Sequence, residues 1–208
     1  MAPIWDFYEA LNDLFGAGHR RGFEGIREPT PDIEAEFEVT LGEAYTGGRC
    51  RIFVDTPMGT RGYDITIPPG VTDGQRLRLA GCGLPGPRRP ATDLYLVVRL
   101  APDARYRVDG RDVTVGLPVA PWEAALGATA WVDAPDGRVR IEVPARSSSG
   151  HRIRLPGHGL PNPRGAPGDL YAEIEVVVPQ HLTTAERDLF AQLSRRSRFD
   201  PRALPDND

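Results

Sequence analysis

The run GCGLPG, Gly81 to Gly86, has its glycines spaced as in a dinucleotide-binding GxGxxG turn. That turn needs a parallel strand before it and a helix after it. Here the following residues are rich in proline and then enter the strand-like segment DLYLVVRL. A sister run, GHGLPN, ends in Asn162 and does not fit the pattern. His158 in that sister run is a candidate metal ligand, but His19, His151, His158 and His181 form no HxxxH or HExxH pair. Asp93 and Asp169 each close a glycine- and proline-rich loop and open a strand. An aspartate placed there caps the turn by accepting from backbone N–H groups. Ser147 lies in the turn SSSG, and no GxSxG sequence occurs. The chain has no lysine, so neither a lysine Schiff base nor a P-loop lysine is chemically available. No catalytic residue, metal or cofactor is expected.

The chain has 208 residues, 40% of them apolar, and a net charge of -4. No apolar run approaches the roughly 20 residues of a membrane helix, and the acidic start MAPIWDFYEALNDLFG is unlike a signal peptide. Negative charge argues against sequence-independent nucleic-acid binding. Two cysteines, Cys50 and Cys82, leave no disulfide framework and no cysteine-rich zinc site. A reducing, cytoplasmic setting is the simplest expectation.

The two glycine runs belong to a repeat. Residues 63–95 match residues 139–171 at 15 of 33 positions without a gap, at an offset of 76. Upstream, VTLGEAYTG (Val39 to Gly47) matches VAPWEAALG (Val119 to Gly127) at an offset of 80. Two copies of one unit therefore follow each other. Within each copy apolar residues alternate with polar ones: Ile33, Ala35, Phe37, Val39 and Leu41, then Cys50, Ile52 and Val54. This period of two predicts half-buried antiparallel strands. Asp109-Gly110 and Asp136-Gly137 are hairpin signals. The fold class is all-β: two tandem small β-sandwich-like domains of the same fold, each with a short helix, plus a C-terminal dimerisation helix. The expected divisions are an arm and linker over 1–31, a first β-domain over 32–101, a second over 102–180, and helix and tail over 181–208. In the arm, Ile4, Phe7, Tyr8, Leu11 and Phe15 stand at helical spacing. Near the other end Thr183 and Glu186 make a capping box. Leu182, Ala185, Leu189 and Leu193 form an apolar stripe there, with Phe190 beside it.

DIEAEFEVTLGEAYTGG, IPPGVTDGQRLRLAGCGLPG, LPVAPWEAALGA and GDLYAEIEVVVP together resemble the C-terminal substrate-binding region of DnaJ-type co-chaperones. The resemblance runs from about Asp32 to Arg202 and is nearest to the CbpA-like branch, which lacks a cysteine-rich zinc domain; FDPR (Phe199 to Arg202) also resembles that branch. The chain has no HPD motif, and its start resembles the glycine/phenylalanine-rich segment that follows a J-domain. A fragment of a longer protein is expected. The resemblance implies a homodimer that binds unfolded client polypeptides as an added strand in an apolar groove and delivers them to a DnaK-type chaperone. Carried over by position, the groove is lined by Ala35, Phe37, Cys50, Ile52, Val54 and Leu96. The dimer contact falls on Leu182, Ala185, Leu189, Phe190 and Leu193. Some relatives bind the acidic tail of the DnaK-type partner through lysines beside this groove; Cys50 and Phe53 stand there instead, with Arg49, Arg51 and Arg61 nearby. The alternative is a nucleoid protein that binds duplex DNA through Arg88, Arg89, Arg195, Arg196 and Arg198.

Overall fold

The structure is a computed structural model that describes residues 33–56, 59–83 and 91–203. The N-terminal arm and its expected helix lie outside the described residues. Strand β1 (Ile33–Val39) leads into helix α1 (Leu41–Thr46). Hairpin strands β2 (Gly48–Thr56) and β3 (Gly59–Ile67) follow, then β4 (Arg76–Leu79) and β5 (Leu94–Leu100). The second copy contributes β6 (Tyr106–Asp109), β7 (Asp112–Val119), α2 (Pro121–Leu126) and the hairpin β8 (Ala128–Ala134) and β9 (Gly137–Val143). Strands β10 (Arg152–Leu155) and β11 (Leu170–Val176) complete it, and α3 (Thr184–Arg196) is the last described element. The first copy forms a sheet ordered β1-β5-β4 and the separate β2-β3 ribbon; the second forms β10-β11-β7-β6 and the β8-β9 ribbon.

The short helices start where the chain supplies a cap. At α1 the Thr40 hydroxyl accepts from the Glu43 N–H, while the Glu43 carboxylate accepts from the Thr40 N–H. This reciprocal bonding satisfies N–H groups that a helix start leaves open. At α2 alanine replaces the threonine, so only the return bond remains, from the Ala120 N–H to Glu123. Pro121 follows at a position that needs no N–H.

Two sequence expectations need correction. The strands were expected to pair antiparallel, yet β1 pairs parallel with β5 and β7 parallel with β11. Alternation reports which face is buried and carries no information about a neighbour's direction. The parallel arrangement is possible because a helix, a hairpin and a further strand intervene before the chain returns. The second hairpin turns at Pro135–Asp136, with Gly137 already paired to Ala134. The β6–β7 hairpin forms beside the Asp109-Gly110 signal, with Gly110–Arg111 as its turn and Asp109 already paired to Asp112.

Each sheet's core is its central strand. Leu94, Leu96 and Val98 of β5 are fully buried, and so are Leu170, Ala172 and Ile174 at the corresponding positions of β11. A joint links the copies. The Arg111 guanidinium donates to the Gly70 carbonyl (2.7 Å) in the first copy and to the Pro161 carbonyl (2.5 Å) in the second. Gly70 has φ +77°, and a Cβ there would lie 1.9 Å from the Pro161 oxygen. Gly74 has a similar φ of +73° with nothing within 4 Å of such a Cβ. Gly74→Ala should therefore cost only left-handed strain, about 1–2 kcal/mol. Gly70→Ala adds a backbone collision at the joint and should lower the melting temperature well beyond the Gly74 variant. Equal melting temperatures for the two would show that the joint yields freely.

Candidate client-binding edge

The repeated loops serve the scaffold. Asp93 accepts from the Gly81 N–H and from the Arg78 guanidinium, each through one carboxylate oxygen. Asp169 makes the same two bonds, to Gly157 and Arg154. These bonds favour the charged form and hold both carboxyls below their ordinary range, with the backbone N–H contributing most. The two aspartates thus clip their loops to the strands that precede them. His158 bonds Asp136 through Nδ1 at 2.9 Å and is not a freely solvated loop side chain. Among the described residues no three histidine, cysteine, aspartate or glutamate side chains gather as a metal site requires. Gly81, Cys82 and Gly83 are described, while residues 84–90, with Arg88 and Arg89, are outside the described residues.

The difference between the copies lies at one sheet edge. Val39 gives its carbonyl to the Ala101 N–H on the β5 side, and Val119 gives its carbonyl to the Val177 N–H in the same way. Backbone groups alternate sides along a strand. Hence Glu34, Glu36 and Glu38 direct their N–H and C=O groups away from β5, and Thr114, Gly116 and Pro118 are their counterparts in β7. In the second copy β6 covers this edge, pairing antiparallel from Asp112 to Val115. Beyond β6, Pro118 has no N–H to offer. Proline and a short covering strand are standard ways to blunt an edge. In the first copy β5 is the only strand paired with β1 among the described residues. Three outward donors and three outward acceptors have no partner strand there among the described residues.

The structure divides the six residues expected to line the groove. Ala35 and Phe37 on β1, and Cys50 and Ile52 on β2, are half-buried and pack on the first copy's core. Burial raises the Cys50 thiol above its ordinary range, with the Glu43 charge adding to it. Val54 is 6% exposed and Leu96 is 0% exposed, so both belong to the core and cannot line an open groove. Leu96 sits in the middle strand, covered on both flanks by β1 and β4. Tyr63, which the sequence reading omitted, is half-buried on the hairpin opposite Ile52 and donates its hydroxyl to the Cys82 carbonyl at 2.7 Å. Its place on the same alternation as Ile65 and Ile67 was the available signal. Phe53 points to the hairpin's other face and is 72% exposed.

Helix α3 is capped by Thr183 and Glu186 as expected. It uses one side at home: the Phe190 ring lies 6.5 Å from that of Trp122 on α2. Leu182 is half-buried, whereas Ala185, Leu189 and Leu193 face solvent. A groove of about 580 Å³ between α2 and α3 is walled by Trp122, Leu126, Leu189, Phe190 and Leu193. Trp122 and Leu126 were missed in the sequence; the apolar ends of the short PWEAAL helix were the only hint. No helix among the described residues is long and apolar enough to cross a membrane.

Among the described residues, a doubled β-unit whose two copies differ at one sheet edge is followed by a capped amphipathic helix. Comparison with known proteins gives the family. Residues 33–179 match the DnaJ C terminal domain. The chain is 38% identical to the Curved DNA-binding protein of Pseudomonas putida strain F1, over 95% of this chain and 68% of that protein. It is 39% identical to the protein of the same name from Pseudomonas syringae pv. tomato, covering 95% and 67%. The Coxiella burnetii RSA 493 relative, again so named, is 37% identical over 95% and 66%. The chain belongs to the DnaJ C-terminal domain family, a family of co-chaperones.

Proposed function

We propose that this chain is the client-holding part of a DnaJ-type co-chaperone. It takes up a stretch of non-native polypeptide as an added strand on β1 and passes it to a DnaK-type chaperone. The observation that carries this reading is the outer edge of β1, unpaired among the described residues, beside half-buried Ala35 and Phe37, at the place that β6 fills in the second copy. Strand addition suits a general binder, because backbone hydrogen bonds are available from any sequence while side-chain pockets select apolar segments. Unfolded chains expose both; folded proteins hide them.

The proposed dimer contact uses Leu189 and Leu193 of α3, together with Leu126 of α2. The supporting observation is their exposure of 64%, 62% and 79% along one apolar groove. Isolated exposed leucines are ordinary, but a contiguous apolar groove marks an interaction surface.

Amide hydrogen exchange tests the edge. Adding a permanently unfolded client should slow exchange at the Glu34, Glu36 and Glu38 amides and leave Gly116 unchanged. Protection spread evenly over both copies, or absent from β1, would defeat the assignment.

A second reading is binding of duplex DNA. It draws on the printed name of the relatives and on exposed Arg195, Arg196 and Arg198 around the end of α3. Affinity for duplex DNA that falls steeply with salt, and falls again in an Arg195→Ser/Arg196→Ser variant, would support it.

A further inference from the structure

The second copy shows what a strand on this edge looks like. In β6, Tyr106 and Val108 turn inward and are half-buried, while Arg107 between them is exposed. Arg107 lies opposite Thr114 and reaches Glu173 at 2.7 Å. The strand that occupies the edge therefore alternates apolar and basic side chains, and its basic residue meets a carboxylate on the solvent face.

The corresponding solvent face of the first copy is far more acidic at the edge. Where β7 carries Thr114, Gly116 and Pro118, β1 carries Glu34, Glu36 and Glu38, all exposed. Arg76 approaches Glu34 at 3.2 Å, and Arg99 approaches Glu36 at 2.7 Å and Asp73 at 3.7 Å. Glu38 has no ion pair among the described residues. Four carboxylates thus share two guanidinium groups, and Arg78 further in is matched by Asp93. The surplus negative charge lies along the outermost strand, where an incoming strand must place every second side chain. Residues paired across two strands share a face. Partners of Ala35 and Phe37 face the apolar side, and partners of the three glutamates face the acidic side.

We infer that the segment preferred by β1 alternates apolar and basic residues, with arginine or lysine opposite Glu34, Glu36 and Glu38 and apolar side chains opposite Ala35 and Phe37. This inference rests on the reading of β1 as the client edge. It names a substrate class: amphipathic, cationic β-strands, as exposed by unfolded basic proteins.

The test uses three fluorescein-labelled peptides, Xaa-Val-Xaa-Leu-Xaa flanked by glycines, in which Xaa is Arg, Ser or Glu. Binding is followed by fluorescence anisotropy at low salt. About twofold per opposite-charge cross-strand pair predicts that the Arg peptide binds roughly tenfold tighter than the Ser peptide. The Glu peptide should bind weakest, and high salt should close the gaps. A Glu36→Gln/Glu38→Gln variant should lose most of the ratio between Arg-peptide and Ser-peptide affinity. Equal affinities for all three peptides, or preference for Glu, overturn the inference while the edge reading stands. A Ser peptide that fails to bind, or that binds a Phe37→Asp variant equally well, overturns both.

Discussion

Phe37→Asp should strip the protein of most of its ability to keep a denatured client from aggregating, with little loss of its own folded structure. Phe37 is half-buried at the open edge, where an incoming apolar side chain would meet its ring. A charge there removes the apolar contact and must be desolvated each time a client binds. A partly covered aromatic stands at the lower end of about 1.5–3 kcal/mol for a buried side chain, so binding should weaken roughly tenfold or more. Light scattering from an aggregating client gives the readout. Ile52→Ser on the facing hairpin should act in the same direction and guards against a folding defect peculiar to one variant. Leu96→Ala is the converse case. It opens a cavity in a fully buried site and should cost about 2–5 kcal/mol of stability. Binding per folded molecule should stay unchanged. If Leu96→Ala impairs holding as strongly as Phe37→Asp at a temperature where both are folded, the edge is not where clients sit.

Leu189→Asp should convert a dimer into a monomer. Leu189 is 64% exposed, next to a residue that is engaged at home, since the Phe190 ring packs tilted against Trp122. The variant therefore places a charge in the exposed apolar groove between α2 and α3 while Phe190 and Trp122 are unchanged. Loss of a central interface anchor is worth about 2 kcal/mol or more, on the order of thirtyfold in the dimer constant. Sedimentation at tens of micromolar should show twice the chain mass for the wild type and the chain mass for the variant, with matching circular dichroism. A monomeric wild type ends the dimer proposal at once.

The repeat was visible in the residues because the loop clips are chemically demanding. Asp93 and Asp169 each need a glycine N–H 12 residues earlier and an arginine 15 residues earlier, so the spacing survives in both copies. The capping box at Thr183 was equally local. What the residues did not reveal depends on neighbours in space. Alternation along DLYLVV places Leu96 on a face but is silent on whether its strand is central or peripheral. That rank separates a core residue from a groove residue, and it divides Leu96 from Phe37. Strand direction escaped for the same reason. How the α3 stripe is used depends on neighbours too: Phe190 lies beside Trp122, while the adjacent Leu189 stays 64% exposed. Pro118 was in plain view, yet its meaning depends on knowing that its missing N–H faces outward.

The blunting of the β7 edge also sets a stoichiometry. On the proposed reading, duplication doubled the scaffold while β6 and Pro118 left one port among the described residues of each chain. One port grips only a few residues, which favours quick release over tenacity. Tight retention of a long unfolded chain then requires two ports on separate protomers, joined by the slack of the client between them. The second grip becomes intramolecular, and avidity follows the distance between ports and the length of client spanning it. A protein organised in this way discriminates by length as well as by composition: short exposed segments escape, and extended unfolded chains are retained.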